Sequence, residues 1–344
     1  KAHLQQASTQ YLVINTGNAN AGTGEPGYAD AMAICQALAD AKGVDVRSVL
    51  PFSTGVIGER LPLAKITAAL PSALNTMDAG NWFAASRGIM TTDTQPKGTS
   101  TQFDYNGTTV TISGISKGAG MIKPNMATML GFIATDAPVE KSILQKICSE
   151  LGNKSFNRIT IDGDTSTNDS CMLMATGTLD LPELNNSSDP FYAVLKSELE
   201  KIFIELAQAI VRDGEGATKF VSIHVKNCGD SKEALNIAYT VAHSPLVKTA
   251  LFASDANWGR ILAAVGRSEI NNMQLDDIQI YLDDVCIVKN GARAETYTEA
   301  AGTKVMSQTE INITIEMGRG DASETVWTTD LSHEYVTINA EYRT

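Results

Sequence analysis

The chain has 344 residues, of which 43% are hydrophobic and 19% charged, and a formal net charge of -12. This length supports a sizeable core and more than one domain, and the composition excludes a disordered chain. An acidic balance with no basic face excludes a nucleic-acid binder, and no apolar run reaches the ~18 to 20 residues of a membrane helix.

The charge is unevenly distributed. Residues 1–127 carry 9 basic and 8 acidic side chains, and residues 128–344 carry 18 and 31. The excess reads first as a solvated acidic surface, with an acidic, non-catalytic binding protein as one reading of function. The five cysteines, Cys35, Cys148, Cys171, Cys228 and Cys286, form no C-x-x-C, and histidine is scarce. Free thiols in a reducing, cytoplasmic compartment and no zinc site are the expectation. The opening "KAHLQQASTQ" has no apolar segment of the kind that marks a secretory signal.

In chain order, "QYLVINT" (10–16) predicts a buried strand that enters the glycine-rich loop 17–27. A helix is expected from Tyr28 to Lys42, ended by Gly43. Residues 46–62 read as a strand and a glycine turn, in which Gly55 and Gly58 can present N–H groups into a cleft. Residues 106–120 read as a hairpin strand running into a second glycine loop. A helix over 138–151 is expected, with Asp136 as its cap and Pro138 in its first turn. "FNRITIDGDTSTND" (156–169) reads as strand, then polar loop. A long amphipathic helix spans Pro190 to Val211 and ends near Gly214. "ATKFVSIHVKN" (217–227) is a strand, helices begin at Ser231 and Ser244, and "IQIYLDD", "INITIEM" and "YVTINAEY" read as strands. The sum is a mixed α/β chain with helices flanking mostly antiparallel sheets, and a domain boundary near Asn227–Gly229.

Three stretches invite chemistry. Gly114-Ile115-Ser116-Lys117-Gly118 fits the G-x-S-x-G elbow of a serine hydrolase, but Gly118, Gly120 and Pro124 deny it the following helix. The acids of "IDGDTSTND" resemble a phosphotransferase or calcium loop weakly, because the threonine of the first and the glycine and glutamate of the second are absent. Side chains bracing their own backbone explain this loop as well, and a place in a pocket wall stays open.

The third stretch is "KGAGMIKPNMATMLGF" (117–132). A threonine hydroxyl is a weak nucleophile without an adjacent base. Cleavage before Thr128 would supply one, since a terminal amine titrates near ~7.7 to 8. The small Ala127 leaves room for Oγ to reach the preceding carbonyl, and the β-methyl of threonine restricts χ1. Met126, Met129, Leu130 and Phe132 form an apolar wall suited to excluding water. On the residues alone, a buried threonine in an apolar turn is the preferred reading.

"STGVIGERLP", "KGAGMIKPNMATMLGFIATDA", "DGDTSTND", "RDGEGATKF", "SPLVKTALFASDANWGRILAAVG" and "YVTINAEYRT" together resemble the glutamate N-acetyltransferase (ornithine acetyltransferase) family of arginine biosynthesis, in order and along the whole chain. The resemblance implies an N-terminal-nucleophile-like core of antiparallel sheets flanked by helices over residues 1–227, and a smaller C-terminal α/β domain over 228–344. It also implies several dozen residues ahead of the position of Lys1.

The resemblance further implies self-cleavage between Ala127 and Thr128, giving an α chain 1–127 and a β chain from 128, assembled as a heterotetramer of two of each. Thr128 would carry acetyl from N-acetylornithine to glutamate by ping-pong chemistry. Thr54 and Gly55 match the oxyanion-hole pair. Substrate contacts fall on Thr91, Lys117, Thr128, Glu215, Asn339 and Thr344. No metal or bound cofactor is implied, although some members of that family also take acetyl from acetyl-CoA.

Overall fold

The computed structural model of the chain describes residues 2–123, 129–166 and 168–342. A short helix α1 (Ala2–Gln6) precedes strand β1 (Tyr11–Asn18), helix α2 (Gly24–Lys42), strand β2 (Val49–Val56) and helices α3 (Leu63–Asn75) and α4 (Trp82–Gly88). Helix α2 starts at Gly24, four residues before the sequence signal at Tyr28. Pro26 fits that first turn because its missing N–H would have no partner there. Gly43 ends the helix with φ 65°, the left-handed conformation that glycine adopts without steric cost. Strands β1 and β2 run parallel, with Thr16 opposite Thr54 and Gly17 opposite Gly55. Cys35, Leu38, Ala39 and Leu70 from α2 and α3 cover their outer face.

A second sheet takes strands β3 (Lys97–Tyr105), β4 (Thr108–Lys117), β5 (Leu130–Thr135) and β6 (Ser170–Ala175) in that order; β5–β6 is parallel and the rest antiparallel. Asn106 and Gly107 both have positive φ, as the two-residue turn between β3 and β4 requires. Helices α5 (Lys141–Lys154) and α6 (Pro190–Arg212) pack on one face. Gly114 in β4 is the close-approach point, since a Cβ there would lie 2.8 Å from Leu206 of α6. The other face presents Ile115, Leu130 and Phe132 to Leu12, Ile14 and Phe52 of the first sheet. Phe52 and Phe132 meet edge to face, centroids 5.1 Å apart. Helices, sheet, sheet and helices thus stack in four layers, while alternate residues of β3 stay exposed.

Two expectations here are corrected. Helix α5 is capped by Glu140, whose carboxylate accepts from Ser142 N, and not by Asp136. Asp136 accepts from Thr111 N at 2.8 Å and ties β4 to the loop before α5. The expected strand at 156–160 is a 3-10 turn, Phe156–Arg158, followed by a single bridge from Ile159 to Trp327.

The third sheet collects strands β7 (Phe220–Cys228), β8 (Gln279–Leu282), β9 (Val285–Lys289), β10 (Ala292–Arg293), β11 (Glu310–Glu316) and β12 (Ala322–Thr329), in the order β10-β9-β8-β11-β7-β12. Only β11–β7 is parallel. Helices α7 (Ser231–Ala242), α8 (Pro245–Phe252), α9 (Trp258–Gly266) and α10 (Glu299–Met306) enclose a core centred on Ile223, Ile237, Ile280 and Ile313. The boundary expected at 227/228 falls at the end of β7, whose neighbours are β11 and β12. The segment expected as a closing strand, "YVTINAEY", is instead helix α11 (His333–Glu341), capped by Ser332 through Tyr335 N. Its alternating β-branched pattern is overridden by tethers to the site described next. The fold as a whole is the mixed α/β architecture expected, with antiparallel sheets flanked by helices.

Candidate active site

Two concavities stand out. One is an apolar groove of about 930 Å³ between β1, α3, α4 and the β4–β5 face. The other is much smaller, about 60 Å³, and has polar and charged side chains in its wall. A few convergent polar groups fix a ligand's orientation in a pocket, and in the smaller one they include a buried ammonium. Thr54, Gly55, Thr91, Lys117, Glu215 and Asn339 all line it. The remaining expected site residues, Ala127, Thr128 and Thr344, lie outside the described residues.

Thr54 and Gly55 sit where β2 leaves its pairing with β1, at a register shift opposite Asn18. Gly55 has φ 129°, and a Cβ on it would meet Gly17 C at 2.3 Å and Asn18 N at 2.5 Å, all backbone atoms. Only glycine fits. Gly58, the other candidate of that turn, spends its N–H on the carbonyl of Ala21 at 2.8 Å.

Lys117 ends β4 and is 1% exposed. Its ammonium donates to the hydroxyls of Thr54 and Thr91, each at 3.0 Å. Burial lowers its pKa from the ordinary lysine value; Asp93 opposes this most, Lys97 reinforces it, and Asp169 and Glu215 oppose it further. Asp93 is the hub behind Lys117. One of its oxygens accepts from Lys97 Nζ at 2.6 Å and from Gly118 N at 2.7 Å, and the other from Thr91 N at 3.0 Å. Burial would raise the Asp93 carboxyl, but Lys97, Lys117 and the Gly118 N–H outweigh it, and it stays below the usual range. Lys97 also donates to Asp213 at 2.5 Å, and Asp213 accepts from the N–H and hydroxyl of Thr94. This buried framework fixes Thr91 and Lys117 relative to each other. Sequence reasoning missed it, because Lys97 and Asp213 lie on separate segments joined only by the fold.

At the far end of the pocket, Glu215 is held by its N–H on Ala119 O at 2.8 Å. Its carboxylate accepts from Asn339 of α11 at 2.7 Å. Helix α11 is pinned by Ser332 Oγ on Gly216 O and by Tyr335 OH on Asp162. A buried ammonium flanked by hydroxyls at one end and a carboxylate with an amide at the other suit a zwitterionic amino acid.

The chain on either side of residues 124–128 is fixed. Asp162 accepts from Met121 N at 2.6 Å and Ile122 N at 3.0 Å, and Ile161 N donates to Ile122 O at 2.8 Å. Downstream, Asp169 accepts from Met129 N, and Ser170 N donates to Met129 O at 3.0 Å. Ile161, Asp162 and Asp169, at the two ends of the polar loop, are therefore braces. The loop's Ser166 and Asn168 also line the pocket, and the amide of Asn168 donates to Ala19 O and Ser53 O.

Two other readings change. Ser116 is buried within β4 and donates to Leu206 O at 3.1 Å, so the G-x-S-x-G match is no nucleophile elbow. Met129, Leu130 and Phe132 fill the cores on either side of the second sheet and do not line the pocket. Among the described residues, no group of three His, Cys, Asp or Glu is placed to hold a metal ion.

The sequence model of the ArgJ family matches residues 1–344. The chain belongs to the ArgJ family. It is 61% identical over 339 residues to the arginine biosynthesis bifunctional protein ArgJ of Pseudomonas fluorescens (strain Pf0-1), covering 98% of this chain and 84% of that protein. It is 54% identical over 343 residues to the protein of the same name from Psychrobacter arcticus (strain DSM 17307 / VKM B-2377 / 273-4), covering 100% and 84%. A solved structure of arginine biosynthesis bifunctional protein ArgJ from Bacillus halodurans is 36% identical with a TM-score of 0.59, and covers 62% of this chain and 100% of its own. As a member of the ArgJ family, this chain is an acyltransferase of arginine biosynthesis.

Proposed function

We propose that the chain transfers acetyl from N2-acetyl-L-ornithine to L-glutamate through an acetyl ester on Thr128, after cutting itself between Ala127 and Thr128. The observation that carries this is the convergence of Thr54, Gly55, Thr91, Lys117, Glu215 and Asn339 on one small pocket around a buried ammonium. The anchored flanks of residues 124–128 also support it, since self-cleavage needs the scissile peptide held still.

In the cut, Thr128 Oγ attacks the Ala127 carbonyl carbon, the peptide C–N bond breaks as nitrogen takes the proton, and water opens the resulting ester. In transfer, Oγ attacks the acetyl carbonyl and its proton passes to the freed α-amine. The carbonyl oxygen takes negative charge, stabilised by Thr54 and Gly55. The bond to the ornithine nitrogen breaks as that nitrogen receives the proton. The glutamate amine then attacks the ester and regenerates the hydroxyl. Lys117 with Thr91 binds the amino-acid carboxylate, and Glu215 with Asn339 and Thr344 binds the other end.

The reading extends to a catalytic core over 1–227, a C-terminal domain over 228–344, two α and two β chains per assembly, and a cytoplasmic location. The word "bifunctional" in the relatives' names supports acetyl-CoA as a second acetyl donor to glutamate. N-terminal sequencing of the purified protein tests the central claim. A fragment beginning at Thr128 is expected, and Thr128→Ala should give one uncut, inactive chain; normal turnover by that variant would overturn the assignment.

A further inference from the structure

Asp169 immediately precedes β6 and is 8% exposed. Its Oδ1 accepts the N–H of Met129, while Oδ2 is buried with no hydrogen-bond partner among the described residues. A buried carboxylate oxygen without a partner is costly and calls for an explanation. The covalent structure points to one. Met129 is joined to Thr128 by a single peptide bond, and successive backbone nitrogens are roughly 3 Å apart. The N–H that Asp169 accepts therefore belongs to the peptide joining Thr128 to Met129, one residue along the chain from the nitrogen that self-cleavage would free.

We infer that Asp169 is a positioning residue for acetyl transfer: one oxygen fixes the peptide that follows Thr128, and the other is kept free for the α-amine released at Thr128 by self-cleavage. The inference rests on the reading of Thr128 as a self-released nucleophile. In that role the carboxyl orients the amine toward Oγ and stabilises the ammonium formed when the amine takes the hydroxyl proton; the same proton then leaves with the ornithine nitrogen, and Asp169 ends each cycle unchanged. The charged group acting on Asp169 is Lys117 at the end of β4, which itself senses Asp93, Lys97 and Glu215. Burial nevertheless raises the Asp169 carboxyl to about 8, against the pull of the Met129 N–H and Lys117, so it can share a proton with an amine that titrates in the same range.

Asp169→Asn keeps the shape and one acceptor for Met129 N–H, but offers the amine no charge. Its cleaved form should transfer acetyl about 100-fold more slowly, with the acidic limb of the kcat/KM profile shifted to lower pH, because the amine has lost a partner that favours its charged form. A cleaved Asp169→Asn enzyme with the wild-type pH profile overturns the inference. If that variant stays uncut or fails to fold, a titration of the wild-type protein decides. With 15N-threonine labelling, the freed amine should titrate in two coupled steps, and a single step at the ordinary terminal value overturns the role. Absence of any fragment starting at Thr128 from active wild-type protein would instead sink the nucleophile reading, so the two failures are distinguishable.

Discussion

The carboxylate of Glu215 occupies the space a side chain on Gly120 would need: a Cβ there would lie 2.4 Å from Glu215 Cδ and from one of its oxygens. Gly120 thus sets how far Glu215 reaches into the pocket and keeps it on Asn339. Gly120→Ala should displace that carboxylate without unfolding the chain. The expected result is a KM for N-acetylornithine raised about 10-fold, the loss of one charge-assisted contact, with a smaller change in kcat. Steady-state kinetics on both substrates would check this, and an unchanged KM would remove Glu215 from substrate binding.

Lys117 gives a pH prediction with a definite sign. Its ammonium binds a carboxylate only while protonated, and burial has lowered its pKa below the ordinary lysine range. Substrate binding should therefore weaken as pH rises through that lowered value. Asp93 is the largest attraction holding the proton on, so Asp93→Asn should move this alkaline limb to lower pH. Lys117→Met should abolish the limb and raise KM while leaving self-cleavage intact, read as fragments on a denaturing gel. Asp93→Asn also leaves Lys97 with Asp213 alone; because that partner remains, Tm should fall by less than the loss of about 3–5 kcal/mol that fully unpairing a buried charge would cause.

Local chemistry made part of this fold readable and left part hidden. Helix α6 was legible because Asp189 caps it, Pro190 opens it, and its apolar stripe is long enough to fix the period. Gly43 as the stop of α2 was legible for the same kind of reason. Helix α11 was not, since its residues alternate as in a strand and none is buried; its tethers, Tyr335 to Asp162 and Asn339 to Glu215, come from distant segments. Within the site, Gly55 carried a local signal in its glycine turn. Thr91, Glu215 and Asn339 carried none, and only the family resemblance brought them forward. Asp93 and Lys97 were missed because an acid and a lysine four residues apart usually mark a solvated surface, and here they are both buried.

Gly55 supplies a structural prediction at the proposed oxyanion-hole pair. Any Cβ at this position would collide with backbone of β1, which cannot yield as a side chain can, and its φ of 129° is one that other residues rarely adopt. Gly55→Ala should separate β2 from β1 at the point where Thr54 receives Lys117. The expected outcome is acetyl transfer reduced by 100-fold or more with Tm lowered by several degrees. Activity near wild type would mean that the oxyanion is held elsewhere.

Lys248 tests the energetics outside the pocket. It is 4% exposed and donates to Thr328 Oγ1 at 3.1 Å and to the carbonyl of Thr329, with no carboxylate hydrogen-bonded to it among the described residues. Burial lowers its pKa from 10.5 to about 8, against the pull of Asp330 and Asp162. Below about pH 8 the folded and unfolded chains both hold this proton, so the group adds no pH dependence there. Between about 8 and 10.5 the unfolded chain holds it and the folded chain does not, so stability should rise with pH, by an amount on the order of 3 kcal/mol over the interval. Lys248→Met relieves the buried charge but strands the Thr329 carbonyl, which costs about 1–3 kcal/mol. The two effects nearly cancel at pH 7, where Tm should change little. The variant should instead lose this rise, so that urea midpoints compared at pH 7.5 and pH 10 diverge in favour of the wild type; parallel shifts in both proteins would show that Lys248 is not the titrating group.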